Sequence, residues 1–320
     1  MQIKNKLRGI RTVLGNSFSG FATDKIPKLS GSLSYYMIFS MGPLLLIIIT
    51  VCSIFFGREA IEGSIYRQLE NFTGHDTAIQ LQQIIKNASL SGKTALATTI
   101  GIITLLIGAT SVFAEMQDSI NMIWGVKAKP RKNWLKFLQN RFISFSVIIG
   151  LSFLLLVSLG IAALIEAFAG YLTRSFPGAT VVVLYAVNLL ITLFITGSIF
   201  SIIFRVLPDA EIRWKDVFAG AVMTTVLFLL GKFAISFYIS KAQVGSTYGP
   251  AGSLIILIIW IYYSSMILYY GAEFTKAYAL QYGAPIHPSK FAVAIEQVEK
   301  EKGNISLQQN EQVKEQEKKI

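Results

Sequence analysis

Few side chains in this chain have the chemistry to act on anything, and the least ordinary of them is Lys232. It stands well inside an apolar run, 217–239. An ionisable group at such depth in hydrocarbon costs about 2.5–3.5 kcal/mol, less where a long stem reaches the headgroups. Two readings are open: a lysine stretching toward the outer headgroups, or an inward-facing cation that pairs with a carboxylate or an anionic substrate. Glu115 and Glu273 lie at the ends of two other apolar runs, and Arg141 and Arg205 at the same level on two more. Such a ring of charges is either a gate that breaks and remakes ion pairs or a set of hydrated ends. Trp260 and Ser264 share a weakly polar stripe with Ser253, Gly271 and Thr275, set at seven- and four-residue steps that fall on one helical face. The stripe serves packing or lines a cavity. Pro43, in Ser40-Met41-Gly42-Pro43, removes a backbone hydrogen bond within another run. It reads as a kink, or as a broken helix of the kind found at transport sites.

Other chemistries find no footing. His, Cys, Asp and Glu nowhere stand at metal-ligand spacing, and the single cysteine, Cys52, has no partner for a disulfide. There is no phosphate-cradling loop of the Walker type and no serine nucleophile elbow. The expectation is a protein that is not an enzyme, with no cofactor, no metal and no catalytic residue.

The elements that must position these residues are six apolar stretches: 33–56, 94–114, 142–165, 180–204, 217–239 and 251–272. Each approaches the roughly 20 helical residues that cross a hydrocarbon core of about 30 Å. Hydrophobic residues make up 53% of the 320 positions and charged residues only 15%, against about a quarter in soluble domains. The expected fold is an all-α membrane protein, a bundle of six transmembrane helices. The first stretch is too long for a signal-peptide core and no cleavage pattern follows it, so it is expected to stay as a spanning helix.

The net charge of +11 reads as topology rather than as affinity for nucleic acid, which is not expected as a partner. Most of the 29 lysines and arginines fall in four segments: before the first stretch, between the second and third, between the fourth and fifth, and after the sixth. These alternate links belong on one side, so both termini are expected in the cytoplasm of a multi-pass inner-membrane (plasma-membrane) protein. Three parts follow: an amphipathic segment 1–30, a transmembrane domain 31–280 and a polar tail 281–320.

In the first part, Ile3, Leu7, Ile10, Leu14, Phe18 and Phe21 recur at helical steps among basic residues. That suits a helix lying in the headgroup layer, packed against the bundle's inner mouth, or both. The outer loop 57–93 reads as two short surface helices. The inner loop 115–141 carries Trp124, Trp134 and a basic run around Pro130, which is interfacial anchoring chemistry. The Glu-, Gln- and Lys-rich tail from about 291 reads as a solvated helix or as disorder.

Three motif groups resemble the YihY/BrkB family of bacterial inner-membrane proteins, once labelled ribonuclease BN. The first is Leu33-Ser34-Tyr35-Tyr36 with Ser40-Met41-Gly42-Pro43. The second is Leu207-Pro208-Asp209, Trp214-Lys215, Gly220-Ala221, Gly231-Lys232 and Tyr238. The third is Tyr248-Gly249-Pro250-Ala251-Gly252-Ser253, Trp260-Ile261-Tyr262-Tyr263-Ser264 and Gly271-Ala272-Glu273. The resemblance runs from about residue 30 to residue 280. It implies six spanning helices with both termini inside, and a link to envelope integrity and to export of a lipopolysaccharide precursor. The expectation is therefore a transporter or amphiphile-translocating permease whose partners are membrane lipids and an amphiphilic or anionic substrate. The alternative is a non-transporting scaffold for envelope assembly, with a ribonuclease last. Oligomeric state is not legible. A phosphatase reporter fused after Ile320 should be inactive and a fluorescent one bright; the opposite pattern would invert the topology.

Overall fold

The computed structural model describes residues 2–56, 95–129, 180–242, 252–283, 286–289 and 292–295, with isolated positions between 62 and 83 and between 149 and 157. The third apolar stretch with Arg141, the outer loop and the tail beyond 295 therefore lie outside the described residues, apart from those few positions.

The described helices are α1 (Gln2–Thr23), α2 (Ile26–Phe56), α3 (Ala95–Ile123), α4 (Thr180–Val206), α5 (Trp214–Ala242) and α6 (Gly252–Tyr282). Three of them hold windows long and apolar enough to cross a membrane, at Leu189–Val206, Trp214–Ile235 and Leu254–Tyr282. Their outer faces are apolar too, with Phe194 73% and Phe218 65% exposed. Apolar outward faces of this length and composition suit oily surroundings. Pro43 does not interrupt α2, which is helical throughout.

Local chemistry sets the helix ends. α1 stops at Lys25, which adopts φ +53°, a left-handed conformation uncommon for a residue with a Cβ. Pro27 then falls in the first turn of α2, where its missing N–H would have had no helical partner anyway. α3 runs beyond the second apolar stretch, through Glu115 and Asn121, so the segment expected as a loop from 115 is helical to Ile123. It ends where Gly125 takes φ +65°.

α6 is the hub. It packs on α5, α2, α1 and α3, while α2 pairs with α3 and α4 with α5. The antiparallel α5–α6 seam is built from glycine sockets. Thr275 of α6 fills the space beside Gly220, Thr224 of α5 fills that beside Gly271, and Tyr263 covers Gly231. The same device seats α1, where Gly9 faces Tyr282 and Gly20 faces the Glu273 carboxyl. Backbones approach this closely because helices in lipid gain by van der Waals contact rather than by leaving water.

α1 presents two different faces. Its buried positions are Gly9, Val13 and Ser17, with Gly20 half-buried, whereas Ile10, Leu14 and Phe18 face outward, Phe18 at 73% exposure. The apolar stripe is not the face that packs. The small-residue stripe beside it is, because it lets α6 come close.

A correction concerns the tail. Residues Ala292–Ala294 form β4, neither helix nor a described coil, and pair antiparallel with β1 (Val126–Ala128) after α3. His287–Pro288, β3, pairs with β2 (Ala210–Glu211) between α4 and α5. Two short ladders thus cap an otherwise helical fold at one end. The Ile295 N–H donates to the Gly125 carbonyl at 2.7 Å and that of Ser289 to the Asp209 carbonyl at 2.9 Å. Asn121 grips Asp209 twice, donating to its carboxylate at 2.9 Å and accepting its backbone N–H at 2.8 Å.

Gly271→Leu should force Thr224 and Phe204 aside and destabilise the detergent-solubilised protein by about 3 kcal/mol or prevent folding. Gly15→Ala, which meets nothing within 4 Å, should instead be neutral or stabilising by about 0.5–1 kcal/mol. Thermal unfolding measures both. Equal effects would show that the sockets do not decide the packing.

Candidate functional site

The end capped by the ladders is also where the basic links gather. The α1–α2 turn, the last turns of α3, α4 and α6 and the first of α5 all meet there. Trp124 fixes α3 to α6 by donating its indole N–H to the Ala272 carbonyl at 3.0 Å. Between α2, α3 and α6 this end opens into a vestibule of about 830 Å³. Its charged lining is Asp24, Lys25, Lys28, Glu115 and Lys276, and its apolar lining includes Leu29, Met122 and Trp124. Ile295, next to β4, closes part of the wall.

One wall of the vestibule carries an ion cluster. Lys276 Nζ is 3.0 Å from an Asp24 oxygen and 3.2 Å from a Glu273 oxygen. The Asp24 and Lys276 side chains keep some contact with solvent, whereas Glu273 is 3% exposed. Glu273 reaches this position because Gly20 of α1 has no side chain to obstruct its carboxyl. Its carboxyl therefore lies inside protein beside one ammonium group, which it shares with the Asp24 carboxylate.

The residues singled out from sequence are distributed as follows. Glu115 and Glu273 come to the same site, Glu115 on the vestibule wall and Glu273 on Lys276. Arg205 does not join them. Its guanidinium lies over the Trp214 ring, 5.8 Å from the centroid, at the α4–α5 contact. Lys232 is partly buried and shares a stripe of α5 with Thr225, Phe228 and Ile235, of which Thr225 lies beside Gly197 and Phe228 against Phe200, both on α4. Trp260 is buried on α6 and Ser264 half-buried. The lower half of their stripe, Gly271 and Thr275, is packing against α5.

Asp24 and Lys276 were missed. Lys276 had a signal, since a cation three residues after Glu273 shares its helical face. Asp24 had none, being brought to the cluster from the opposite end of the sequence. Gln117 was also missed: it is buried on α3, its amide nitrogen without a hydrogen-bond partner among the described residues.

Residues 17–294 match the model of the virulence factor BrkB family. Several similar proteins are each named a UPF0761 membrane protein. That of Tolumonas auensis is 28% identical over 261 residues, covering 79% of this chain and 80% of the relative. That of Prosthecochloris aestuarii is 27% identical over 293 residues, which is 90% of this chain but only 64% of the relative's length. That of Pseudoalteromonas atlantica is 26% identical, covering 79% and 81%. No solved structure matches the chain.

Lys276→Met should leave the buried Glu273 carboxyl without its partner and destabilise the protein by about 1–3 kcal/mol. Adding Glu273→Gln should restore much of that loss, a coupling that a double-mutant cycle on thermal midpoints reads directly. Additive losses would mean that the pair is not coupled.

Proposed function

We propose, from the premise that the chain belongs to the virulence factor BrkB family of membrane proteins, that it is a multi-pass permease of the inner membrane that moves an amphiphile. In this reading the six apolar stretches all span, both termini are cytoplasmic and the vestibule opens to the cytosol.

The observation that carries the proposal is the lining of the vestibule. Apolar and charged side chains together line one space of about 830 Å³, large enough for a headgroup with part of a chain. A purely polar opening would suit a small solute, and a dry one would suit nothing charged. The mixed lining suits a molecule that is itself divided. Lys232, on the stripe of α5 that faces α4, offers a cation further along the membrane for an anionic group to meet. With no nucleotide-binding motif in the sequence, the driving force falls to an ion gradient or to a partner protein.

The scaffold reading has one feature in its favour. The outward apolar stripe of α1, with Ile10, Leu14 and Phe18, is a surface on which an assembly partner could rest. Transport assays separate the two. Reconstituted protein should speed the transbilayer movement of a fluorescent phosphatidylglycerol relative to protein-free vesicles. Ser32→Trp, which intrudes on the vestibule, should slow it several-fold. Lys232→Met should insert at the normal level yet fail to complement a deletion strain. Full complementation by Lys232→Met would remove the buried cation from the mechanism, and no acceleration by the native protein would favour the scaffold.

A further inference from the structure

We propose that a second site, the groove between α4 and α5, holds one anionic membrane lipid, its chain along the helices and its phosphate on Arg205 and Lys215. This site lies apart from the vestibule and stands whether or not the vestibule transports anything.

The groove measures about 880 Å³. Small residues hollow it out: Gly197, Ser198 and Ser201 on α4, with Thr225 on α5. Three of these carry hydroxyls, and each donates within its own helix. Ser198 donates to the Phe194 carbonyl at 2.7 Å, Ser201 to that of Gly197 at 2.8 Å and Thr225 to that of Ala221 at 2.7 Å. With their donors occupied in this way, they leave a wall that is apolar in effect, rimmed by the outward rings of Phe194 and Phe218. Such a groove takes an acyl chain in preference to water.

The head is selected at one end only. There the groove is lined by Trp214 and Lys215, and Arg205 stacks over the same indole. An exposed tryptophan beside two cations is headgroup-level chemistry, and basic pockets between helices bind anionic lipid heads. Asp216, next to Lys215 in the sequence, is turned away from them. It is buried against Gly283 on the α6 side of α5. A zwitterionic head would bring its own ammonium against the same two cations, so the complementarity favours phosphatidylglycerol over phosphatidylethanolamine.

The test uses the full chain in nanodiscs made from equal amounts of those two lipids, followed by native mass spectrometry of the lipid retained. The native protein should keep phosphatidylglycerol preferentially. Arg205→Gln with Lys215→Gln should lower the preference about thirtyfold, each cation near the surface contributing about fivefold. Gly197→Leu with Ser201→Leu fills the groove and should abolish the retained lipid. Equal retention of the two lipids by the native protein overturns the site. A preference that survives either pair of substitutions overturns it as well, since the lipid would then sit elsewhere, or another part of the chain would fill the groove. Should the double cation variant fail to fold, Lys215→Gln alone removes an exposed charge, and a preference lowered about fivefold supports the site whereas an unchanged one overturns it.

Discussion

The architecture depends on the absence of side chains at a few points along α6 and its neighbours. In oil, two helices gain little by hiding apolar surface from each other, because lipid tails offer the same contact. What distinguishes protein neighbour from lipid neighbour is fit. Gly220, Gly231 and Gly271 supply sockets on the α5–α6 seam, and Gly9 and Gly20 supply them for α1. Each takes a specific side chain of the partner helix. The seam is thereby fixed in register along its length, since Thr275 and Thr224 enter sockets on opposite helices and a shift by one residue would empty both. This also explains why α6 carries the ion cluster. A helix held on several sides is the one that can keep a carboxylate at a fixed depth.

Among the described residues, polar interaction is concentrated at one end for a related reason. Helix termini leave carbonyls and N–H groups unpaired, and hydrocarbon offers them nothing. At the basic end the chain supplies its own partners. The Asn121–Asp209 pair, the Trp124 indole on Ala272 and the two strand ladders tie the ends of α3, α4 and α6 into one layer. The segment after α6 is the thread of that layer, crossing from the α4–α5 link to the end of α3. It connects α6 to two links that are not its sequence neighbours, so the position of each helix end constrains the others.

The sequence made the membrane-spanning character legible, because a long apolar run has no other stable environment. It also made Glu273 legible as a charge at the end of such a run. It did not reveal which face of α1 packs. Amphipathicity ranks faces by hydrophobicity, and in a bilayer that ranking selects the lipid-facing side as readily as the core. Gly9, Val13 and Ser17 read as an unremarkable stripe, yet they form the contact. The three-residue β4 was equally hidden, since Ala292–Ala294 has no alternation long enough to show and owes its form to the strand it meets. The Asp24–Lys276 pair joins positions separated by almost the entire described chain, a distance over which residue spacing carries no information.

The permease activity proposed above would need at least one seam that can repack, and the seams here are unequal. The α5–α6 and α1–α6 contacts are keyed by sockets, where any slide drives a side chain into a backbone. The α2–α6 contact is different. There Leu257 and Ile261 rest against Met37, Ile38 and Met41. Methionine is unbranched and fills gaps of changing shape at little cost. α2 also starts at the strained Lys25 turn, so its first residues are joined to α1 by a conformation already above its minimum. The vestibule opens at the basic end of this softer seam, between the first turns of α2 and Lys276 of α6. The space for a ligand and the interface least costly to rearrange thus coincide, and the salt bridge from Asp24 to Lys276 is the bond that bridges the two sides.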